Sequence, residues 1–478
     1  MSSVAGLPGA VAAEHRSRVV VCVDAALERA RRELRPVLAG VAVELEASLD
    51  PTAVVAAARS ATEPWFALER PDCEGQALAG LGCAVALQAS GPDRFASVSA
   101  AWRSLVGDAV IDQRATSRAA GLVAAGGFAF ADDGGAAPEW SGFAPASLHV
   151  PELAVARQGD RVTATVAVLA SPDDSGEELC ERAVGRLAQL RLDARLPLLD
   201  PAPVGRVRVS APLTPEHYEA SVARAVERIV AGELEKVVLA REVAVHAPVV
   251  HDPAALLGVL REAFPACFVF AVGRGEATFL GASPELLVRR EGHRASTVAL
   301  AGSARRSADP AVDDYLGEQL LHSSKDRQEH AIVARRIERT LRRLALWVAA
   351  APEPQLVKIA NIQHLATAIR AQLDEPFGAI DLAAALHPTP AVGGEPWERA
   401  APLIRALEGI DRGWYAGAIG WTDGSEDGEF CVALRCALLR GAHARCYAGV
   451  GVVADSDPAA ELAETEVKLE ALLPLLAG

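Results

Sequence analysis

The stretch from Tyr415 to Val453, YAGAIGWTDGSEDGEFCVALRCALLRGAHARCYAGVGVV, leaves this chain few folds to choose from. It reads as a three-strand meander linked by Asp-Gly and Arg-Gly turns. Links that short join only antiparallel neighbours, because a parallel pair needs a crossover of about a dozen residues or more. Other strands precede it. EKVVLAREVAVH reads as one strand, ACFVFAVGRGEATFLGAS as two around a Gly-rich turn, and LLVRREGHRASTVAL as a hairpin turning near Glu291 and Gly292. Helical patterns lie between them. Thr214 and Pro215 read as the N-cap and first residue of a helix, with Val222, Val226, Ile229 and Val230 on its apolar face and Gly232 as its stop. KDRQEHAIVARRIERTLRRLALW reads as a helix with Val333, Ile337, Leu341 and Leu344 along one stripe, and ELAETEVKLEALLPLL as a last helix. Meanders mixed with helices predict an α+β fold, with large antiparallel sheets layered with helices, and not a doubly wound parallel sheet. GRGE and GVGVV lack G-x-G-x-x-G spacing, which argues against a dinucleotide site.

The chain has 478 residues, 51% of them hydrophobic, enough for a large core. Its net charge of −15 argues against an extended nucleic-acid or anionic-membrane surface, although a small anionic substrate needs only a few local cations. No apolar run reaches the ~18 to 20 residues of a membrane span. The start, MSSVAGLPGAVAAEHRSRVVVC, is a poor secretory signal, so a cytoplasmic protein is expected. The eight cysteines form no C-x-x-C pair and no zinc spacing; buried free thiols are expected. Prolines in LDARLPLLDPAPVGRVRVSAPLTPE place a boundary near residue 205.

Several residues carry possible chemistry. Glu461, Glu464 and Lys468 fall at i, i+3 and i+7 of the last helix, hence on one stripe. Such a face can hold a divalent cation and an anion, or it can simply be solvated. Glu329 lies early in its helix, where a pair with Lys325 four residues before is the plain alternative. Carboxylates from two helices without His or Cys companions suit Mg²⁺, which prefers hard oxygen ligands. Lys236 heads the apolar strand KVVLA and shares a face with Val238 and Ala240, so its amine either points inward as a base or snorkels to solvent. Glu285, in GASPELLV, sits at a turn beside Leu286 and Leu287, where a carboxyl can keep its proton. Arg435, inside CVALRCALL, needs a partner, and a carboxylate ligand would supply one. The glycines of YAGVG let backbone approach an anion.

Their order along the chain resembles the chorismate-utilising enzymes, the family of anthranilate, aminodeoxychorismate, salicylate and isochorismate synthases. The resembling segments are LEKVVLAR, FLGASPELLVRR, LAGSARR, KDRQEH, IQHLAT, HPTPAVGGEP, YAGAIGW, ALRCALL, YAGVGVV and ELAETEVKL, nearly everything after about residue 212. PWFALERPD and GGFAFADDGGAAPEWSGF are similar to the family's less constrained first half. On this resemblance residues 51–205 form that variable half, 206–478 the chorismate-binding half, and 1–50 an unassigned extension. It also implies the family's aminodeoxychorismate-synthase-like fold.

Within the family, members that attach ammonia carry Gln where this chain has Lys236, and members that attach water carry Lys. HPTPAVGGEP and LAGSARR are closer to the isochorismate synthases than to the salicylate synthases. The resemblance thus implies Mg²⁺-dependent conversion of chorismate to isochorismate, by water attack at C2 with loss of the C4 hydroxyl. A salicylate synthase is the nearest rival, and a chorismate-binding regulator without turnover a more distant one. Lys236 would be the general base and Glu285 the general acid. Glu329 and Glu464 would hold the magnesium, with Glu461 nearby or acting through water. Gly302, Ser303, His364, Ala391, Arg435, Gly449 and Lys468 match substrate-binding positions, and Val392 falls beside Ala391. Ser324 departs from relatives that are acidic there. Menaquinone, catecholate siderophores and salicylate-derived metabolites all start from isochorismate, and the resemblance does not choose among them. A monomer without a glutaminase subunit is expected.

Overall fold

The computed structural model describes residues 10–112, 120–200 and 203–478, and in it the chain forms two large sheets with helices packed around them. One sheet has 13 strands and the other 10. Among the described residues every strand pairing is antiparallel except that of Val37–Leu45 with Val110–Asp112. The expected α+β architecture of antiparallel sheets layered with helices is therefore what the chain adopts.

The strand Phe268–Arg274 shows why its sequence is apolar without a break. Phe268, Phe270 and Val272 enter a core shared by both sheets, whereas Val269 and Ala271 enter a second core on the opposite face. Helices Ala10–Glu33, Gly176–Ala188 and Pro253–Ala263 contribute to that second core. With both faces covered, alternation between apolar and polar residues is lost. All eight cysteines are free, and six of them are buried. No helix among the described residues is long and apolar enough to cross a membrane.

The hairpin at Glu291 and Gly292 and the strand Lys236–His246 form as expected. Four expectations change. CVALRCALL is two strands, not one: Gly428–Val432 pairs in the 10-stranded sheet and Cys436–Arg440 in the 13-stranded sheet. The chain changes sheets through Arg435, whose φ of 48° no extended strand tolerates. The helix begun by KDRQEH ends at Leu341, and Ala345–Ala350 is an edge strand beside Ile362–Leu373, so Leu344 lies past the helical stripe. In the helix Pro215–Val230, capped by Thr214, Val222 and Ile229 are buried but Val230 is 69% exposed, because it falls off the packed face at the last turn. The last helix is broken into Pro458–Leu469 and Leu473–Ala477.

The first 50 residues supply the helix Ala10–Glu33 and an inner strand, Val37–Leu45, of the larger sheet; residues 1–9 lie outside the described part. Strands from the two sides of residue 205 also interleave, since Trp65–Arg70 pairs with Phe268–Arg274 and Val123–Phe128 with Ala418–Asp423. The proposed halves are thus divisions of the sequence that share both sheets.

Candidate active site

Where the chain passes between the sheets, a cavity of about 650 Å³ opens, lined by residues from strands, helices and loops far apart in sequence. Glu285 reaches it from the turn between strands Ala277–Ser283 and Leu286–Glu291, and Glu329 from the helix Ser324–Leu341. Glu464 and Lys468 come from the helix Pro458–Leu469. The structure also brings Gly302, Ser303, His364, Ala391, Val392, Arg435 and Gly449 to this cavity.

Lys236 has no exposed side-chain surface, so it does not snorkel; its Nζ lies 2.9 Å from Glu329 Oε1. Glu329 is therefore not the partner of Lys325, which instead reaches across to Glu461 at 2.6 Å. Gly451 makes the Lys236 contact possible. A Cβ there would collide with Glu329 Oε1 and come within 2.6 Å of Lys236 Cε.

Glu285 is 4% exposed. Burial pushes its carboxyl up to about 8, against the opposing pull of Lys236, Lys468 and Arg435, so it holds its proton at neutral pH. Glu464 behaves oppositely. Burial works against its charge, but Lys468 at 2.7 Å, the Ser303 hydroxyl donating at 2.6 Å and Lys325 hold it down to about 2. Lys468 Nζ also donates to Gly449 O at 2.9 Å. Ser303 is set by a bulge after Ala301 in the pairing of Arg294–Arg305 with Ile362–Leu373, where Gly302 takes a φ of 73°.

His364 lies opposite Ser303 in that pairing. Burial, then the charges of Arg435 and Lys468, push its imidazole down to about 3, so it is neutral. With Nδ1 protonated and donating to Gly302 O at 3.2 Å, Nε2 accepts from Arg435 Nη2 at 3.2 Å. Arg435 Nη1 is buried without a hydrogen-bond partner among the described residues. A guanidinium with a spare donor at a cavity wall suits an anionic ligand.

Glu461 is the sequence-predicted ligand that stands apart. It is 2% exposed, does not line the cavity, and its carboxylate is taken up by Lys325. Burial and the nearby charge of Glu464 raise its pKa, while Lys325 opposes them. Among the described residues no group of three or more His, Cys, Asp or Glu side chains is placed to hold a metal. Glu329 and Glu464 alone, two hard oxygen donors at one cavity, fit a cation that keeps several waters, as Mg²⁺ does. The reading of single residues missed Tyr415 and Tyr447, which line the cavity as well. Both stand in motifs already singled out, YAGAIGW and YAGVGVV, and their rings stack with centroids 5.3 Å apart.

The model of the family described as "Chorismate binding enzyme" matches residues 25–477. A salicylate biosynthesis isochorismate synthase of Pseudomonas aeruginosa is 38% identical over 455 residues, covering 95% of this chain and 93% of that one. Isochorismate synthase MenF of Bacillus subtilis is 32% identical over 461 residues, covering 95% of this chain and 96% of that one. Among solved structures, MenF, the menaquinone-specific isochorismate synthase of Escherichia coli, is similar with a TM-score of 0.76 at 26% identity, covering 95% of this chain and all of that one.

Proposed function

The chain belongs to the family of chorismate-binding enzymes, and from that premise we infer that it is an isochorismate synthase, an isomerase that converts chorismate to isochorismate. The observation that carries the reading is one cavity bordered by a protonated carboxyl, Glu285, and reached through Glu329 by a wholly buried amine, Lys236.

In this proposal Lys236 takes a proton from the water that attacks C2. Glu285 gives its proton to the C4 hydroxyl, which leaves as water. Water is a poor nucleophile without a base, and hydroxide a poor leaving group without an acid; each contribution is roughly 10²- to 10⁴-fold. Arg435, through its spare Nη1, and Lys468 bind the substrate's carboxylates. His364 keeps the guanidinium in place, and Ala391 with Val392 bound the ring pocket. Glu329 and Glu464 would hold a Mg²⁺ ion, which when bound offsets the carboxylate charge of the substrate. A lysine rather than a glutamine at position 236 supports water over ammonia as the nucleophile. The protein then needs no glutaminase subunit to supply ammonia.

Purified protein incubated with chorismate and Mg²⁺, with products resolved by chromatography, tests this. Isochorismate is expected. Salicylate with stoichiometric pyruvate would make it a salicylate synthase, and anthranilate on adding ammonium would overturn the assignment of the nucleophile.

A further inference from the structure

Arg412 and Glu408 form an ion pair only 3% and 4% exposed, and the chemistry above uses neither. Glu408 ends the helix Trp397–Glu408. Gly409, at a φ of 64°, turns the chain so that Arg412 folds back onto the carboxylate. Arg412 Nε donates to Glu408 Oε2 at 2.9 Å, and Nη2 donates to Oε1. The pair does more than neutralise itself. Nη1 donates to Val392 O at 2.8 Å, Nη2 to Val238 O at 2.9 Å, and Glu408 Oε1 accepts from Ala240 N at 2.7 Å.

Those backbone groups lie where the strand Lys236–His246 runs out of a partner on one side. Lys236 and Val237 pair with Glu395 and Gly394, and Val238 N donates to Gly393 O at 2.7 Å. From Val238 O to Ala240 N the two side chains stand in for the missing strand. One guanidinium therefore ties the strand that begins with Lys236 to the loop whose Ala391 and Val392 line the cavity. The same guanidinium lies 4.1 Å from the ring centroid of Phe130 and 5.8 Å from that of Tyr415, which also lines the cavity.

We propose that Arg412, oriented by Glu408, is a positioning residue for the reaction: it sets the separation between the Lys236 strand and the Ala391–Val392 wall that confines the ring. The proposal rests on the function inferred above. An ion pair that merely stabilises needs charge complementarity alone. This one uses a rigid planar fork to meet acceptors on separate elements, which a lysine ammonium cannot reproduce. Loss of about an ångström in placement costs up to roughly 100-fold in rate.

The test compares full-length wild type with Arg412→Lys and Arg412→Ala in Mg²⁺ and chorismate. Arg412→Lys keeps the charge, and its kcat is expected to fall about 10- to 100-fold, with a higher KM and an unchanged near-UV circular dichroism spectrum. Arg412 also lines a separate cleft of about 1890 Å³, which gives small cations a route to the gap left by Arg412→Ala. Ethylguanidinium is expected to restore kcat in that variant, and ethylammonium to fail. Wild-type kcat and KM in Arg412→Lys, or equal rescue by ethylammonium, would overturn the proposal. If Arg412→Ala does not fold, Arg412→Lys decides alone. Wild type that forms no isochorismate defeats the underlying function and not the positioning role.

Discussion

Lys236 Nζ lies 2.9 Å from Glu329 Oε1, with none of the lysine side chain exposed and the carboxylate side chain 11% exposed. Glu329 thus has two claimants, this amine and a divalent cation. Lys236→Met is expected to lower isochorismate formation by roughly 10²- to 10⁴-fold while keeping Mg²⁺-dependent chorismate binding in equilibrium dialysis. Without metal it costs about 1 to 3 kcal/mol of stability, because a buried carboxylate loses its hydrogen-bond partner. Mg²⁺ should then raise the melting temperature of the variant more than that of wild type. Equal gains would count against Glu329 as a metal ligand.

Glu285 carries a pH dependence of defined sign. Its folded value, about 8, lies above the ordinary 4.5 because burial disfavours the carboxylate. The folded state therefore binds this proton more tightly than the unfolded chain. The stability it contributes is full below about 4.5 and is lost as pH rises through about 8. Glu285→Gln removes the titration, so its stability relative to wild type should climb across that window in urea denaturation. Its turnover should fall by about 10²- to 10⁴-fold, and wild-type kcat should decline above about pH 8. A parallel stability profile for the two proteins would refute the assignment.

Arg435 Nη2 is committed to His364, whereas Nη1 is left for a ligand. Arg435→Lys keeps the charge but cannot serve both partners. A lost hydrogen bond to a charged group is worth about 1.5 to 3 kcal/mol, so KM for chorismate should rise by roughly 10- to 100-fold. Because His364 is held near 3, KM should show no histidine titration between pH 5 and 8. A KM that changes around pH 6.5 would contradict the neutral imidazole.

Gly451 faces Glu329 and Lys236 with no room for a methyl group, as a Cβ would lie 2.6 Å from Lys236 Cε. Gly451→Ala should raise the Mg²⁺ concentration needed for half-maximal turnover by about tenfold or more, the usual scale of a disturbed ligand support. A magnesium titration checks this. Unchanged magnesium demand would place the metal elsewhere.

Much of the site is legible in the amino-acid sequence. Residue type, strand or helix position and motif order single out Lys236, Glu285, Glu329 and Glu464; three of them line the cavity, while Lys236 touches it through Glu329. Pairings are not legible in the same way. Lys325 is four residues from Glu329 on one helix, and helical spacing favours that pair, yet Lys325 takes Glu461. The packing of helix Pro458–Leu469 near helix Ser324–Leu341 offers a more deeply buried carboxylate, and no local pattern encodes that.

Sequence by itself determined the kind of element over most of the chain and which residues can ionise, whereas burial decided that Glu285 keeps its proton and Glu464 its charge. Periodicity, caps and turn residues act over a few residues and are written locally, as at Thr214 and at Glu291–Gly292. Only the tertiary structure decided that CVALRCALL divides between two sheets at Arg435 and that Arg412 braces a strand it does not belong to. Those outcomes depend on sheet order and on which buried polar groups need partners, balances summed over residues hundreds of positions apart.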